Sequence, residues 1–161
     1  VRSAEDANGP VLECGSGLTT LLIGAVAARR RIHVHALEHN PDWHARVTAG
    51  LRDFGLERAT VHLAPLRDFG DFVWYDAPLP ALPTDFAMVV CDGPPAGTAG
   101  GRSGLLPVMR RHLAPDCLIL LDDANRPAEQ ELLARWMRDL GATHDVRASS
   151  RGFARVRLLD G

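Results

Sequence analysis

Five apolar runs with strand character recur along the chain: PVLEC near 10–14, IHVHALE near 32–38, TVHLAPL near 60–66, FAMVVCD near 86–92 and CLILLDD near 117–123. Between them, TTLLIGAVAARR, PDWHARVTAGLRDFG, SGLLPVMRRHL and RPAEQELLARWMRDLG place apolar residues at helical spacing. Strand and helix alternating in this way predict an α/β domain whose parallel sheet is covered by helices on both faces. Helix punctuation agrees. Asn40 caps a helix with Pro41 in its first turn and Gly55 after it, while Pro127 opens the last helix and Gly141 closes it. The tail changes period: THDVRAS and FARVRLL alternate, are joined by SRG, and predict an antiparallel hairpin at the sheet edge. Two long irregular segments are left, Asp68 to Thr84 and Gly93 to Gly104, of a length that in compact α/β domains is functional or mobile.

At 161 residues and 46% hydrophobic, the chain holds one domain with a substantial core, spanning 1–161. No apolar run reaches the roughly 20 residues that cross a bilayer, and VRSAEDANGP has neither the basic nor the apolar region of a leader. A cytoplasmic protein is the expectation, with no membrane partner. Every one of the 18 basic residues is arginine, which excludes a phosphate-loop lysine and Schiff-base chemistry. A formal charge of −2 offers no field for nucleic acid, and Arg29 to Arg31 read as the basic last turn of a helix. A homo-oligomer is compatible with this composition. Cys14, Cys91 and Cys117 lack paired or zinc-ligand spacing and read as reduced core thiols.

In an open α/β sheet, ligands sit beyond the carboxyl ends of the strands. Those ends are acidic here: Glu13, Glu38, Asp92 and the pair Asp122, Asp123. ECGSG, Glu13 to Gly17, puts two glycines at a strand-to-helix turn, but Thr20 stands where a dinucleotide fingerprint has its third glycine. Glu13 would repel a phosphate and suits a positively charged cofactor, and the hydroxyls of Thr19 and Thr20 can satisfy free N–H groups of the helix start. Glu38, 21 residues beyond Gly17, stands where an acid accepts hydrogen bonds from ribose hydroxyls.

On ECGSG, Glu38, the C-terminal hairpin and VVCDGPPAGTAGGRSGLLP, the sequence resembles the class I S-adenosylmethionine-dependent methyltransferases over about residues 10–159, and among them bacterial methyltransferase-domain proteins carrying DGPP after the fourth strand. The resemblance implies a Rossmann-like, doubly wound, mostly parallel seven-stranded sheet ending in the antiparallel hairpin. It implies a methyl donor, S-adenosylmethionine, leaving as S-adenosylhomocysteine. Glu13, Cys14, Gly15, Ser16 and Gly17 would cradle its methionine part, Glu38 its ribose, and His39 would lie near the adenine. The LAPL segment would line the adenine pocket through the backbone of Ala64, Pro65 and Leu66. Family members usually carry helices upstream that cover the cofactor, and VRSAEDANG is short for that purpose.

Methyl transfer needs a nucleophile aligned with the methyl group and relieved of its proton. Asp92 is the candidate base; capping its own loop is the alternative. Metal-dependent catechol-type relatives hold a divalent ion with one acid of the fourth strand and a pair from the fifth, so Asp92, Asp122 and Asp123 are candidate ligands for magnesium, calcium or manganese. Strand alternation would turn one of the pair away. Arg102, within a glycine-rich segment able to act as a lid, is a candidate for gripping a substrate anion, or a solvated arginine. Trp74 and Tyr75 either wall the substrate pocket or pin their loop to the sheet. His33 and His35 share a strand face without a third ligand and read as strand residues. The favoured reading is O-methylation of a small molecule or glycan. A cofactor-binding scaffold without catalysis and a nicotinamide-dependent oxidoreductase or epimerase are the alternatives, the last lacking both its third glycine and a lysine.

Overall fold

The computed structural model describes residues 2–140, 143–147 and 152–157. In chain order they form α1 (Arg2–Glu5), β1 (Val11–Cys14), α2 (Leu18–Arg30), β2 (Val34–Glu38), α3 (Pro41–Asp53), β3 (Ala59–Leu63), β4 (Leu66–Asp68), β5 (Val73–Tyr75), β6 (Phe86–Cys91), α4 (Leu105–Met109), β7 (Leu113–Asp122), α5 (Pro127–Leu140), β8 (Thr143–Arg147) and β9 (Phe153–Arg157). The main sheet runs β3-β2-β1-β6-β7-β9-β8. Its first five strands are parallel, and β9 is antiparallel to both β7 and β8. The terminal hairpin expected from the alternating tail is therefore present, while Gly141 and most of its connecting turn lie outside the described residues.

Val11, Leu12 and Cys14 are fully buried, as β1 has neighbours on both sides and helices over both faces. One layer packs Ile23, Val26 and Ala27 of α2 and Val47 and Leu51 of α3 on Val34, Ala36 and Val61. The opposite layer packs Leu105 and Met109 of α4 and Leu132 and Trp136 of α5 on Leu12, Val89 and Ile119, with Trp74 and Tyr75 filling the space between. The chain leaves β1 toward β2 and β3, then returns to β6 on the other side, so the topological switch point lies between the carboxyl ends of β1 and β6.

The ends of α3 match the sequence: Asn40 Oδ1 accepts from the Trp43 main-chain N–H, Pro41 opens the first turn and Gly55 follows with φ of 65°. Two segments depart from it. The TVHLAPL run ends as a sheet strand at Leu63, since Pro65 has no N–H for a ladder. Leu66–Asp68 then pairs with Val73–Tyr75 as a small antiparallel ribbon, so Asp68 to Thr84 is not irregular throughout. SGLLPVMRRHL contributes only the short α4 between two tighter turns, and its final leucine already starts β7, whose register with β6 shifts between Phe86 and Met88.

Candidate active site

Beyond the switch point lies a cavity of about 420 Å³ whose walls include Glu13, Gly15, Ser16, Glu38, Tyr75 and Asp92. Gly15 has φ of 89°, in the left-handed region that side chains rarely adopt, and its main chain packs directly against Gly93. Gly93 is equally constrained, because a Cβ there would fall on the Tyr75 hydroxyl. The two glycines let the β1 turn and the β6 turn meet; the Cys14 carbonyl accepts from the N–H groups of Gly93 at 2.6 Å and Asp92 at 3.2 Å. Cys14 thus contributes its backbone, while its thiol is fully buried and free.

Thr20 explains the absent third glycine. Its hydroxyl accepts from the Gly17 N–H at 2.9 Å and donates to Glu13 Oε2 at 2.6 Å, joining the strand end to the helix start. Glu13 is 2% exposed. Burial pushes its carboxyl up to about 7, against the Thr20 hydrogen bond, with Asp92 and Glu38 adding to the rise. A cation entering the cavity would relieve that cost, which is a physical reason for a positively charged ligand beside Glu13.

Glu38 is preorganised. Oε2 accepts from the Ser16 N–H at 3.2 Å and the Ser16 hydroxyl at 2.8 Å, while Oε1 accepts from the Asn40 N–H at 2.8 Å and pairs with His39 Nδ1 at 3.1 Å. His39 lies edge-on to Tyr75 across the cavity. Trp43, on the first turn of α3, lines the same cavity and donates its indole N–H to the Ser16 carbonyl at 2.7 Å. No motif announces Trp43; an aromatic side chain about one turn beyond Glu38 is the only signal. Tyr75 is both wall and pin: it is fully buried in the core and lines the cavity, and burial raises its phenol above the ordinary range, so it stays neutral. Trp74 belongs to the core alone.

Ala64, Pro65 and Leu66 do not line this cavity. Ala64 is fully buried and donates its N–H to the Glu38 carbonyl at 2.7 Å, so the chain there braces the acid from behind before turning into the ribbon that carries Tyr75.

At the ends of β6 and β7, Asp92, Asp122 and Asp123 bring carboxylate oxygens within 4.8 Å of one another. Alternation would have separated the last two, but the strand ends at Asp122 and Asp123 takes φ of 54°, turning the chain back toward Asp92. Asp92 lines the cofactor-sized cavity. Its carboxyl is raised above the ordinary aspartate range, first by desolvation, then by the charge and hydrogen bond of Asp122, against the lowering effect of Arg102.

Arg102 departs from the lid expectation. It sits in a tight turn, 4% exposed, with Nη2 at 3.4 Å from both Asp92 and Asp123 and Nη1 at 3.6 Å from Glu129 of α5. The same fork donates to the main-chain carbonyls of Asp92, at 2.7 Å, and Asp122. Rather than gripping a ligand from solvent, it is the internal cation of the acidic cluster. Arg126 adds a second, at 2.8 Å from Asp123. Glu129, an acid the sequence did not single out, completes the set.

The histidines stand apart. His35 and His62 stack at 5.3 Å with Nδ1 and Nε2 at 3.0 Å, and neither reaches the cavity.

Residues 12–124 match the family model described as a methyltransferase domain. No curated protein matches the sequence. The structure resembles an S-adenosylhomocysteine-bound methyltransferase from Podospora anserina with a TM-score of 0.75 at 17% identity, over 99% of this chain and 76% of that one. It resembles a precorrin-6y C5,15-methyltransferase from Geobacter metallireducens with a TM-score of 0.68 at 16% identity, over 99% and 84%. An O-methyltransferase from Bacillus cereus in complex with S-adenosylhomocysteine gives 0.64 at 14% identity, over 96% and 75%. The structural likenesses carry the fold, and the match over residues 12–124 carries the family: the chain belongs to the methyltransferase-domain family and is a class I S-adenosylmethionine-dependent methyltransferase.

Proposed function

We propose that the protein methylates an oxygen of a small molecule or glycan, with Asp92 taking the proton of the acceptor hydroxyl. The observation that carries this reading is the position of Asp92, bordering the cavity that also holds Glu13 and Glu38, with a carboxyl made more basic by its surroundings. S-adenosylmethionine supplies a methyl group on a sulfonium, an electrophile that needs no further activation. Glu13 and the glycine turn would hold its methionine end and Glu38 its ribose. Asp92 then needs only to accept a proton, and raised basicity at a carboxylate that the cavity leaves accessible suits that task. The O-methyltransferase neighbour from Bacillus cereus is consistent with an oxygen acceptor.

A second reading routes the same carboxylates to a divalent cation, favoured by the convergence of Asp92, Asp122 and Asp123. Oxygen donors fit magnesium, calcium or manganese, which would neutralise the cluster and lower the proton affinity of a coordinated hydroxyl. Arg102 and Arg126 already share Asp123 Oδ2, leaving Asp92 and Asp122 as the better donors.

Calorimetric titration with S-adenosylhomocysteine, with and without magnesium, tests both. Glu38→Ala should weaken binding roughly 10- to 100-fold, the worth of about one charge-assisted hydrogen bond. Asp92→Asn should keep affinity within a few-fold and abolish turnover. Turnover that survives Asp92→Asn removes the base, and turnover indifferent to a chelator removes the metal.

A further inference from the structure

We infer that the Tyr75 hydroxyl faces the sulfonium of the bound methyl donor and makes the site hold S-adenosylmethionine in preference to S-adenosylhomocysteine. The inference rests on the placement of the cofactor proposed above, with its ribose at Glu38 and its methionine end at Glu13 and the glycine turn.

Tyr75 is 1% exposed and lines the cavity beyond the switch point. Its ring is fixed: Leu66 pairs with Tyr75 across the ribbon, and Trp74 and His39 meet the ring edge-on at centroid distances of 5.3 and 6.4 Å. The hydroxyl sits where the β1 and β6 turns meet. A Cβ built on Gly93 would stand 2.0 Å from it, and one built on Gly15 would stand 3.7 Å away, so the missing side chain at residue 93 makes the room that the hydroxyl occupies. No donor or acceptor among the described residues pairs with this hydroxyl, and unlike the sealed indole N–H of Trp74 its oxygen keeps surface toward the cavity. Leaving a buried hydroxyl unpaired is costly, and phenylalanine would pin the ribbon equally well. The hydroxyl is therefore accounted for by what enters the cavity.

The chemistry of the donor says which of its groups lies there. Its sulfur is bonded to the ribose methylene and to the methionine side chain, so it stands between the parts assigned to Glu38 and to the glycine turn. The methyl group on that sulfur points to the acceptor, on the side of Asp92. Tyr75 lies amid all three: burial first, then the thiols of Cys14 and Cys91, then the charges of Glu38 and Asp92 hold its phenol above the ordinary range. The phenol stays neutral, turns its proton toward carboxylate charge and leaves its oxygen lone pairs for a cation. Transfer of the methyl group leaves a neutral thioether, so the attraction ends with the reaction. Because it is stronger in the ground state than in the transition state, the contact favours uptake of the donor and departure of the product rather than the transfer itself. The ammonium and carboxylate of the methionine end are common to both ligands, so Glu13 does not tell them apart.

Tyr75 is the one tyrosine of the chain, which gives a direct test. Protein grown on meta-fluorotyrosine carries fluorine at this residue alone, and its signal should take different positions in the complexes with S-adenosylmethionine and S-adenosylhomocysteine. Calorimetric titration of Tyr75→Phe should show affinity for S-adenosylmethionine weakened at least about fivefold, as for a lost contact with a charged group, and affinity for S-adenosylhomocysteine unchanged within about twofold. The melting temperature checks that the fold is intact. A Tyr75→Phe variant that weakens both ligands alike or neither, or a fluorine signal that is the same in both complexes, would overturn the inference. Glu38→Ala distinguishes this from failure of the underlying placement: both ligands carry the ribose, so both should weaken alike, and unchanged affinities there would overturn the placement and the inference with it. No acceptor is present in these titrations, so their outcome does not depend on Asp92 as the base.

Discussion

Arg102→Met removes the only guanidinium among the described residues that touches three carboxylates, and the size of its effect follows from their burial. Glu129, with a side chain 10% exposed, would be left as a charge away from water, whereas Asp123, at 12%, keeps Arg126 at 2.8 Å and Asp92, at 64%, would be rehydrated and contributes little. Breaking a buried pair by removing one partner costs about 3–5 kcal/mol, most of it the penalty of the charge left behind. The Asp92 and Asp122 carbonyls lose donors as well, but methionine fills much of the vacated volume and keeps the apolar contacts of the arginine stem. We therefore expect a loss of about 3–5 kcal/mol, read by urea unfolding followed by circular dichroism at constant m, and a melting temperature lower by roughly 6–20 °C for a domain of this size. Arg102→Met within about 1 kcal/mol of native at pH 7 would show that the cluster is neutralised in some other way.

Two further outcomes are expected. Trp43→Phe keeps an aromatic wall but deletes the N–H that holds the Ser16 carbonyl; the loss of one hydrogen bond worth about 1 kcal/mol should lower the melting temperature by roughly 2–4 °C and raise the S-adenosylhomocysteine dissociation constant by up to about fivefold, and an unchanged constant would exclude a positioning role. His35 is lowered from 6.5 to about 4 by burial and then by the neighbouring His62 and His33, so the folded state holds its proton less well than the unfolded chain. Stability from this ring is complete above about pH 6.5 and is lost as pH falls toward 4. The ceiling of about 3 kcal/mol is reduced to roughly 1–2 by the half-open position of the ring. His35→Phe should flatten the stability profile between those pH values, and an unaltered slope would contradict the assignment.

The strand-end acids and the glycine turn were legible in the sequence because they are products of local order. Glu13, Glu38 and Asp92 each follow an apolar run that can only be a buried parallel strand, and a strand-to-helix turn with two glycines narrows what can lie beyond it. Thr20 was legible as a helix-start hydroxyl, and the structure adds that it also holds Glu13.

Other parts could not be read from the chain alone. The glycines around Arg102 describe a flexible segment, and local sequence gives such an arginine to solvent. It is buried only because Asp92, the β7 turn and Glu129, spread over 37 positions, converge on one point and need a cation between them. Trp43 and Tyr75 reach the cavity from elements whose packing no motif encodes, while Ala64, Pro65 and Leu66 are carried behind it by the turn into the ribbon. Asp122 and Asp123 share a site because the strand stops between them and one backbone torsion turns positive. The sequence by itself determined which elements form and which chemistry stands at their ends, since periodicity and turn residues act over a few positions. Which side chains face one another across the site was decided only by the tertiary structure, because burial and charge pairing depend on neighbours distant along the chain.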